Sequence, residues 1–363
     1  MRTFNSKSNS RVIASIAAAL FGALLLLGTV PDLGGGAGWL NSAPLTPASL
    51  RGKVVLVDFW EYTCINCLRT LPYLREWYRR YHDDGLVIIG VHTPEFSFSG
   101  DDENVAAAVK RLGVAWPVVL DDNYAIWKRY HNSVWPHEYL FDQNGNLAES
   151  QEGEGNYPQT EAKIQALLHA RNPHLKFPPV MPLLPQDNYD KPGAVCYPMT
   201  PETYVGPWHG RRVANAPVMA NLEHDTLYRD TASDHKDGEI YLQGFWRVAP
   251  QGQAMVSAGN DGYAALRYHA IQVVAVMRPE QGAVRVNVTQ DGKPLAHEDA
   301  GPDIRYDASG VSYVNVDTAR AYDLVMNARF GSHELRLQPE HYGLALYSFD
   351  FESCEVPGTR PRE

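Results

Sequence analysis

The run Lys53–Trp60 (KVVLVDFW) is apolar and rich in β-branched residues, and a CxxC, Cys64 to Cys67, follows it after a three-residue turn, Glu61–Thr63. Few folds accept that junction. A run apolar at successive positions belongs to a strand buried on both faces, as in a parallel sheet covered by helices. From the first cysteine onward, Leu68, Leu71, Leu74, Trp77, Tyr78 and Tyr81 recur at helical spacing. This predicts a helix over Cys64–Tyr81 that Pro72 kinks rather than ends. The cysteines therefore stand at a strand-to-helix turn.

The pattern continues in kind. Leu86–His92 is a second buried strand, and Asp101–Leu112 is a helix with Asp101 and Asp102 in its first turn. Trp116–Leu120 is a third short strand and Asn123–Tyr130 a short helix. Glu138–Phe141 and Leu147–Gln151 flank an Asn-Gly turn and form a hairpin, and Tyr157–Ala170 closes the domain as a helix. Strands alternating with helices make this an α/β domain, placed at residues 39–171.

A chain of 363 residues exceeds what one core usually serves, so a second domain is expected. Residues 172–192 carry six prolines and read as a semi-rigid linker. Helical periodicity then stops. Short alternating runs occupy Glu239–Val248, Ala254–Ser257, Ala264–Val276, Ala283–Gln290, Tyr313–Val316, Tyr322–Arg329, His333–Gln338 and Leu344–Phe351, with a turn signal at Asp291-Gly292. These predict an all-β sandwich of jelly-roll type over 193–356. Cys196 and Cys354 flank it; a disulfide between them would tie its first and last strands, and two free thiols are the other reading. Trp208, Trp246, Tyr204, Tyr241, Tyr263 and Tyr268 leave glycan binding open, although alternating aromatics are more often core.

At the N-terminus, Arg2, Lys7 and Arg11 precede an uncharged apolar run, Val12–Val30. That is long enough to cross a bilayer, and the basic residues keep the N-terminus cytoplasmic and export the rest. Residues 1–33 are read as an uncleaved membrane anchor in preference to a cleaved signal peptide, with Gly34–Gly38 as a flexible tether. The net charge of −10 and the absence of a basic stripe argue against a nucleic-acid partner.

A cysteine at a helix start meets free N–H groups and the helix dipole, which favour its thiolate, and the second cysteine one turn later can reach the first. Cys64 is then the attacking sulfur and Cys67 the resolving one. A zinc site needs about four ligands; no second CxxC is present and His82 and His92 lack ligand spacing, so no metal or cofactor is expected. A thiol peroxidase would carry Pro and Thr seven and three residues before its cysteine, where this chain has Val57 and Glu61. His92 and His137 are read as packing residues of the loops.

The stretch VVLVDFWEYTCINCLRTLPYLREWY, with GLVIIGVHTPEF after it, resembles the thioredoxin-like domain of the TlpA/DipZ family. TPETYVGPWHGRR, LQGFWRV and HELRLQP resemble the carbohydrate-binding-module-like domain that some members carry at the C-terminus. The resemblance implies an extracytoplasmic thiol–disulfide oxidoreductase that reduces disulfides of exported proteins. It implies electrons from a CcdA/DsbD-like membrane carrier, here a separate protein because only one apolar span is present. It also matches further residues to thioredoxin-like positions. Asp58, under the cysteines, is a buried carboxylate of raised pKa that accepts the proton of Cys67. Glu95 tunes the thiols, and Trp60 walls the site. Trp135 and Pro136 offer substrate-binding backbone, Pro136 as the cis-proline, with Trp116-Pro117 a competing candidate. The alternative is a cell-surface binding protein that uses the sandwich and keeps a redox-inactive thioredoxin-like domain.

Overall fold

The computed structural model describes residues 29–185, 187, 189–209, 213–217 and 224–358. Most of the expected anchor, Val12–Val30, lies outside the described residues, and among them no helix is long and apolar enough to cross a membrane.

The chain forms two compact units that do not follow chain order. One comprises 1–60, 70–93 and 112–181; the other comprises 61–69, 94–111 and 182–363. In the first, β1 (Gly38–Leu40), β2 (Val54–Trp60), β3 (Leu86–His92), β4 (Val118–Leu120), β5 (His137–Phe141) and β6 (Leu147–Glu152) make a six-stranded sheet of order β1-β4-β3-β2-β5-β6. β2 is central and buried along its whole length, as its unbroken apolar run requires. Of the helices, α1 (Ile65–Tyr81) continues through Pro72 and runs from the second unit into the first, α2 (Asp102–Arg111) belongs to the second, and α3 (Ala125–Arg129) and α4 (Tyr157–Arg171) belong to the first. α2 begins one residue later than expected because Asp101 caps it, accepting from the N–H groups of Glu103 and Asn104.

Three boundaries differ from the sequence reading. The fold starts before residue 39: Val30 and Leu33 are buried in the core with Val57, Phe59 and Ile89, so residues 30–33 are not anchor. The glycine run is tied down rather than a free tether. Ala37 N–H donates to Leu120 O (2.8 Å), and a Cβ at Gly36 would stand 2.6 Å from Val119 Cγ2, so only glycine lets this segment approach β4. The start of the proline stretch is docked as well: Arg80 and Gln165 donate to the carbonyls of Pro179 and Pro178, and Met181 N–H to Glu161.

In the second unit, β7 (Val195–Cys196) pairs with β19 (Cys354–Glu355), and the Cys196–Cys354 disulfide joins them. The other strands are β8 (Thr203–Tyr204), β9 (Thr226–Tyr228), β10 (Ile240–Val248), β11 (Met255–Ser257), β12 (Tyr263–Pro279), β13 (Val284–Gln290), β14 (Lys293–Pro294), β15 (Arg305–Tyr306), β16 (Ser312–Val316), β17 (Arg320–Pro339) and β18 (Leu344–Glu352). They form one antiparallel hydrogen-bonded network of eleven strands. The long β12 changes partners along its length, pairing with β10 near its start and β18 near its end while β17 follows the other edge. The two runs expected at Tyr322–Arg329 and His333–Gln338 are one strand, β17, continuous through Gly331. Asp291 and Gly292 both have positive φ, as a tight turn between β13 and β14 requires. Trp246, Tyr268 and Tyr241 are buried, so these three are not a sugar-binding platform.

Candidate active site

Sheet register sets the site's position. β2 and β3 run parallel with Trp60 opposite His92, so the chain leaves both strands at the same edge, after Trp60 toward Cys64 and after His92 toward Glu95. β5 runs antiparallel on the other side of β2 with His137 opposite Phe59. This brings Pro136, just before β5, level with Trp60 at that edge. The Trp135–Pro136 bond is cis; Trp116-Pro117 is not. Loops at the carboxyl ends of parallel strands are where α/β sheets build sites.

Cys64 directly precedes α1, whose first helical residue is Ile65 rather than Cys64. The Cys67 N–H donates to Cys64 Sγ (3.2 Å), so the first sulfur caps the helix and the second residue of the pair is held one turn along. Both are thiols; Cys64 is half-buried and Cys67 buried. Glu61 is the residue the sequence reading missed here. It is fully buried, and its Oε2 accepts from the N–H groups of Thr63 (2.6 Å) and Cys64 (3.1 Å) and from the Thr63 hydroxyl. This carboxyl folds the turn back on itself and sets the exit angle of Cys64. A glutamate closing a strand three residues before a CxxC was the available signal.

The Cys64 thiol does not simply profit from its place at a helix start. Burial pushes its pKa up, the contacts with Cys67 pull it down, and the charges of Glu95 and Glu61 push it up again. Glu95 is half-buried, and burial, with the Glu202 charge second, raises its carboxyl from 4.5 to about 8. Asp58, about 1% exposed, rises from 3.8 to about 7 through burial alone, and its Oδ1 has no hydrogen-bond partner. Directly across the ladder from Asp58 stands Glu138, also buried and raised well above 4.5, first by burial and then by the Asp58 charge. An acid within the apolar run of β5 could have flagged it. Trp60 is buried at the end of β2, its ring edge-on to His92 (centroids 5.3 Å). Burial lowers His92 to about 3, so it stays neutral. His137 bonds Asn132 and Ser150, and both histidines lie on strands rather than loops. The half-buried Trp135 leans on Trp127 (4.3 Å).

Two family models match the chain: Redoxin over residues 35–168 and Thioredoxin like C-terminal domain over 200–351. Protein DipZ of Mycobacterium bovis is 36% identical over 327 residues, which is 89% of this chain and 43% of that protein. The chain is TlpA/DipZ-like, with a Redoxin domain followed by a thioredoxin-like C-terminal domain. It is also similar to two shorter proteins. Thiol-disulfide oxidoreductase ResA of Bacillus cereus is 30% identical over 118 residues, 32% of this chain and 65% of that one. Thiol-disulfide oxidoreductase YkuV of Bacillus subtilis is 25% identical over 139 residues, 38% of this chain and 93% of that one. The chain spans less than half the length of the DipZ proteins it matches. The ResA and YkuV matches span only about a third of the chain, whereas the DipZ match extends over most of it.

Proposed function

We propose that the protein is a membrane-anchored, extracytoplasmic reductase of disulfides in exported proteins. The observation that carries this reading is the capped dithiol, with Cys67 N–H on Cys64 Sγ one helical turn away. In the reaction, the Cys64 thiolate attacks a substrate disulfide, forms a mixed disulfide and releases one substrate thiolate. Cys67 gives its proton to Asp58 and attacks Cys64 Sγ, which releases the second substrate thiolate and leaves a Cys64–Cys67 disulfide. Asp58 suits that task because burial lets its carboxyl exchange a proton near neutral pH. Trp60, Trp135 and Pro136 receive the substrate backbone. Two electrons then return from a dithiol of a CcdA/DsbD-like membrane carrier. The basic residues and apolar run of the first thirty positions support the anchor and the export. The β-rich region acts as a sandwich-like module that docks a protein partner, and its Cys196–Cys354 disulfide suits an oxidising compartment.

The test is dithiothreitol-driven reduction of insulin. Cys64→Ser loses the activity, and Cys67→Ser accumulates a mixed disulfide that runs as a larger species on a non-reducing gel. Full activity in folded Cys64→Ser overturns the proposal.

A further inference from the structure

The segments around the cysteines and Glu95 pack with the C-terminal strands in one compact unit. Arg69 of α1 donates to Glu352 (2.7 Å) and Gln272 (2.7 Å), and Ser97 N–H donates to Gln253 (2.8 Å). Phe96 and Phe98 pack edge-on against Tyr347, with centroids 5.2 and 4.7 Å apart. Into this framework β8 brings Tyr204, whose ring lies 6.2 Å from that of Phe96 and whose hydroxyl donates to Glu95 Oε1. β8 itself is held by β18, with Tyr204 opposite Ser348 and Thr203 opposite Phe349. The phenol is therefore placed by sheet register, not by a loop.

We propose that Tyr204 is a positioning residue of the thiol site: its hydroxyl fixes the Glu95 carboxyl and the charge that carboxyl sets against the Cys64 thiolate, so that the β-rich part of the chain tunes how readily the first sulfur ionises. The inference rests on the exchange reading above. Charged and titratable groups bear on Glu95 from every side. Glu61 and Cys64 come from the cysteine turn, Glu202 and Tyr204 from β8 and the residue before it, and Asp350 from β18, whose own carboxyl feels the Arg69 charge of α1. Burial and the Glu202 charge favour the neutral acid. The Tyr204 hydrogen bond acts the other way and favours the carboxylate. The polar pair is thus a counterweight to burial, and the carboxylate it favours opposes ionisation of Cys64.

The experiment measures the rate of Cys64 alkylation by iodoacetamide against pH in the reduced full chain, in a Cys67→Ser background. Thiolate absorbance at 240 nm gives a second reading. Tyr204→Phe keeps Glu95 protonated to higher pH, so near pH 8 the thiolate forms against less repulsion and alkylation is about threefold faster. Glu202→Gln, a change at an exposed residue, moves the Glu95 inflection the opposite way and slows alkylation there. Glu95→Gln removes the inflection, and adding Tyr204→Phe to it changes nothing further, because the tyrosine acts through the glutamate. The proposal falls if Tyr204→Phe lowers the melting temperature but leaves the profile unmoved. It also falls if the Tyr204→Phe effect persists in the Glu95→Gln background, or if Glu202→Gln and Tyr204→Phe shift the inflection the same way. Alkylation needs no substrate protein, so a chain that shows this pattern yet reduces no insulin refutes the exchange reading and leaves the Tyr204–Glu95 coupling standing.

Discussion

Asp58 is held at a position where ionising it is costly. Its carboxyl is raised from 3.8 to about 7 by burial, and across the ladder it faces Glu138 rather than a cation. A rise of that size corresponds to at most about 4 kcal/mol against the charged form. The sign follows from proton uptake. Between about pH 4 and 7 the folded state binds more protons than the unfolded chain, so stability contributed here is whole below about pH 4 and falls until pH passes 7. Asp58→Asn removes that loss. Urea titrations should show the variant more stable than wild type by up to about 4 kcal/mol above pH 7, and no more stable near pH 4. Its insulin reduction should fall at the same time, because Cys67 loses its proton acceptor. A buried carboxyl that weakens the fold was readable at position 58, since an aspartate inside an apolar strand needs a reason. Its partner Glu138 and the turn-closing Glu61 were harder, because a strand-end acid in sequence looks like a solvated one.

Secondary elements here owe their limits to side chains that satisfy free backbone groups and to close approaches between strands. α2 begins at Asp102 because Asp101 takes the first N–H groups, so Asp101→Ala should cost about 1 kcal/mol in denaturant unfolding. Gly90 sits mid-strand in β3 where a Cβ would lie 2.7 Å from Trp60 Nε1 and 3.3 Å from Trp116 Nε1. Neither indole can move within a packed core, so Gly90→Ala should destabilise by about 1–3 kcal/mol and shift the Trp60 fluorescence. β2 to β5 were legible because their apolar runs are continuous and short, β6 (LAESQE) was read from the Asn-Gly turn before it, and β1 was not anticipated. β17 was not legible: Arg329-Phe330-Gly331-Ser332 breaks the alternation and reads as a turn, while in the structure the residues flanking it pair with Tyr268 to Gln272 of β12 across a bulge. Two-residue strands such as β8 leave no periodicity to detect, although β8 carries Tyr204.

For the molecule as a whole, the Cys196–Cys354 disulfide closes a loop of 158 residues around the β-rich strands. Loop-closure entropy puts its contribution at about 5 kcal/mol as an upper figure, and the Cys196→Ser/Cys354→Ser double variant should lose about 2–5 kcal/mol of stability. Insulin reduction by folded protein should survive at low temperature, since neither sulfur belongs to the exchange pair. Amino-acid order alone was sufficient for the α/β domain, the cysteine pair at a strand-to-helix turn and the all-β second half, because each rests on local periodicity or a short motif, while the cis-proline position came from the family resemblance. Tertiary structure decided what local pattern cannot carry. Val30 joins the core and the glycine run is hydrogen-bonded along β4 instead of hanging free, and the cysteine turn packs with the C-terminal strands. Tyr204 meets Glu95 across 109 residues of chain. Contacts that distant are set by how sheets register and pack, and no window of neighbouring residues encodes them.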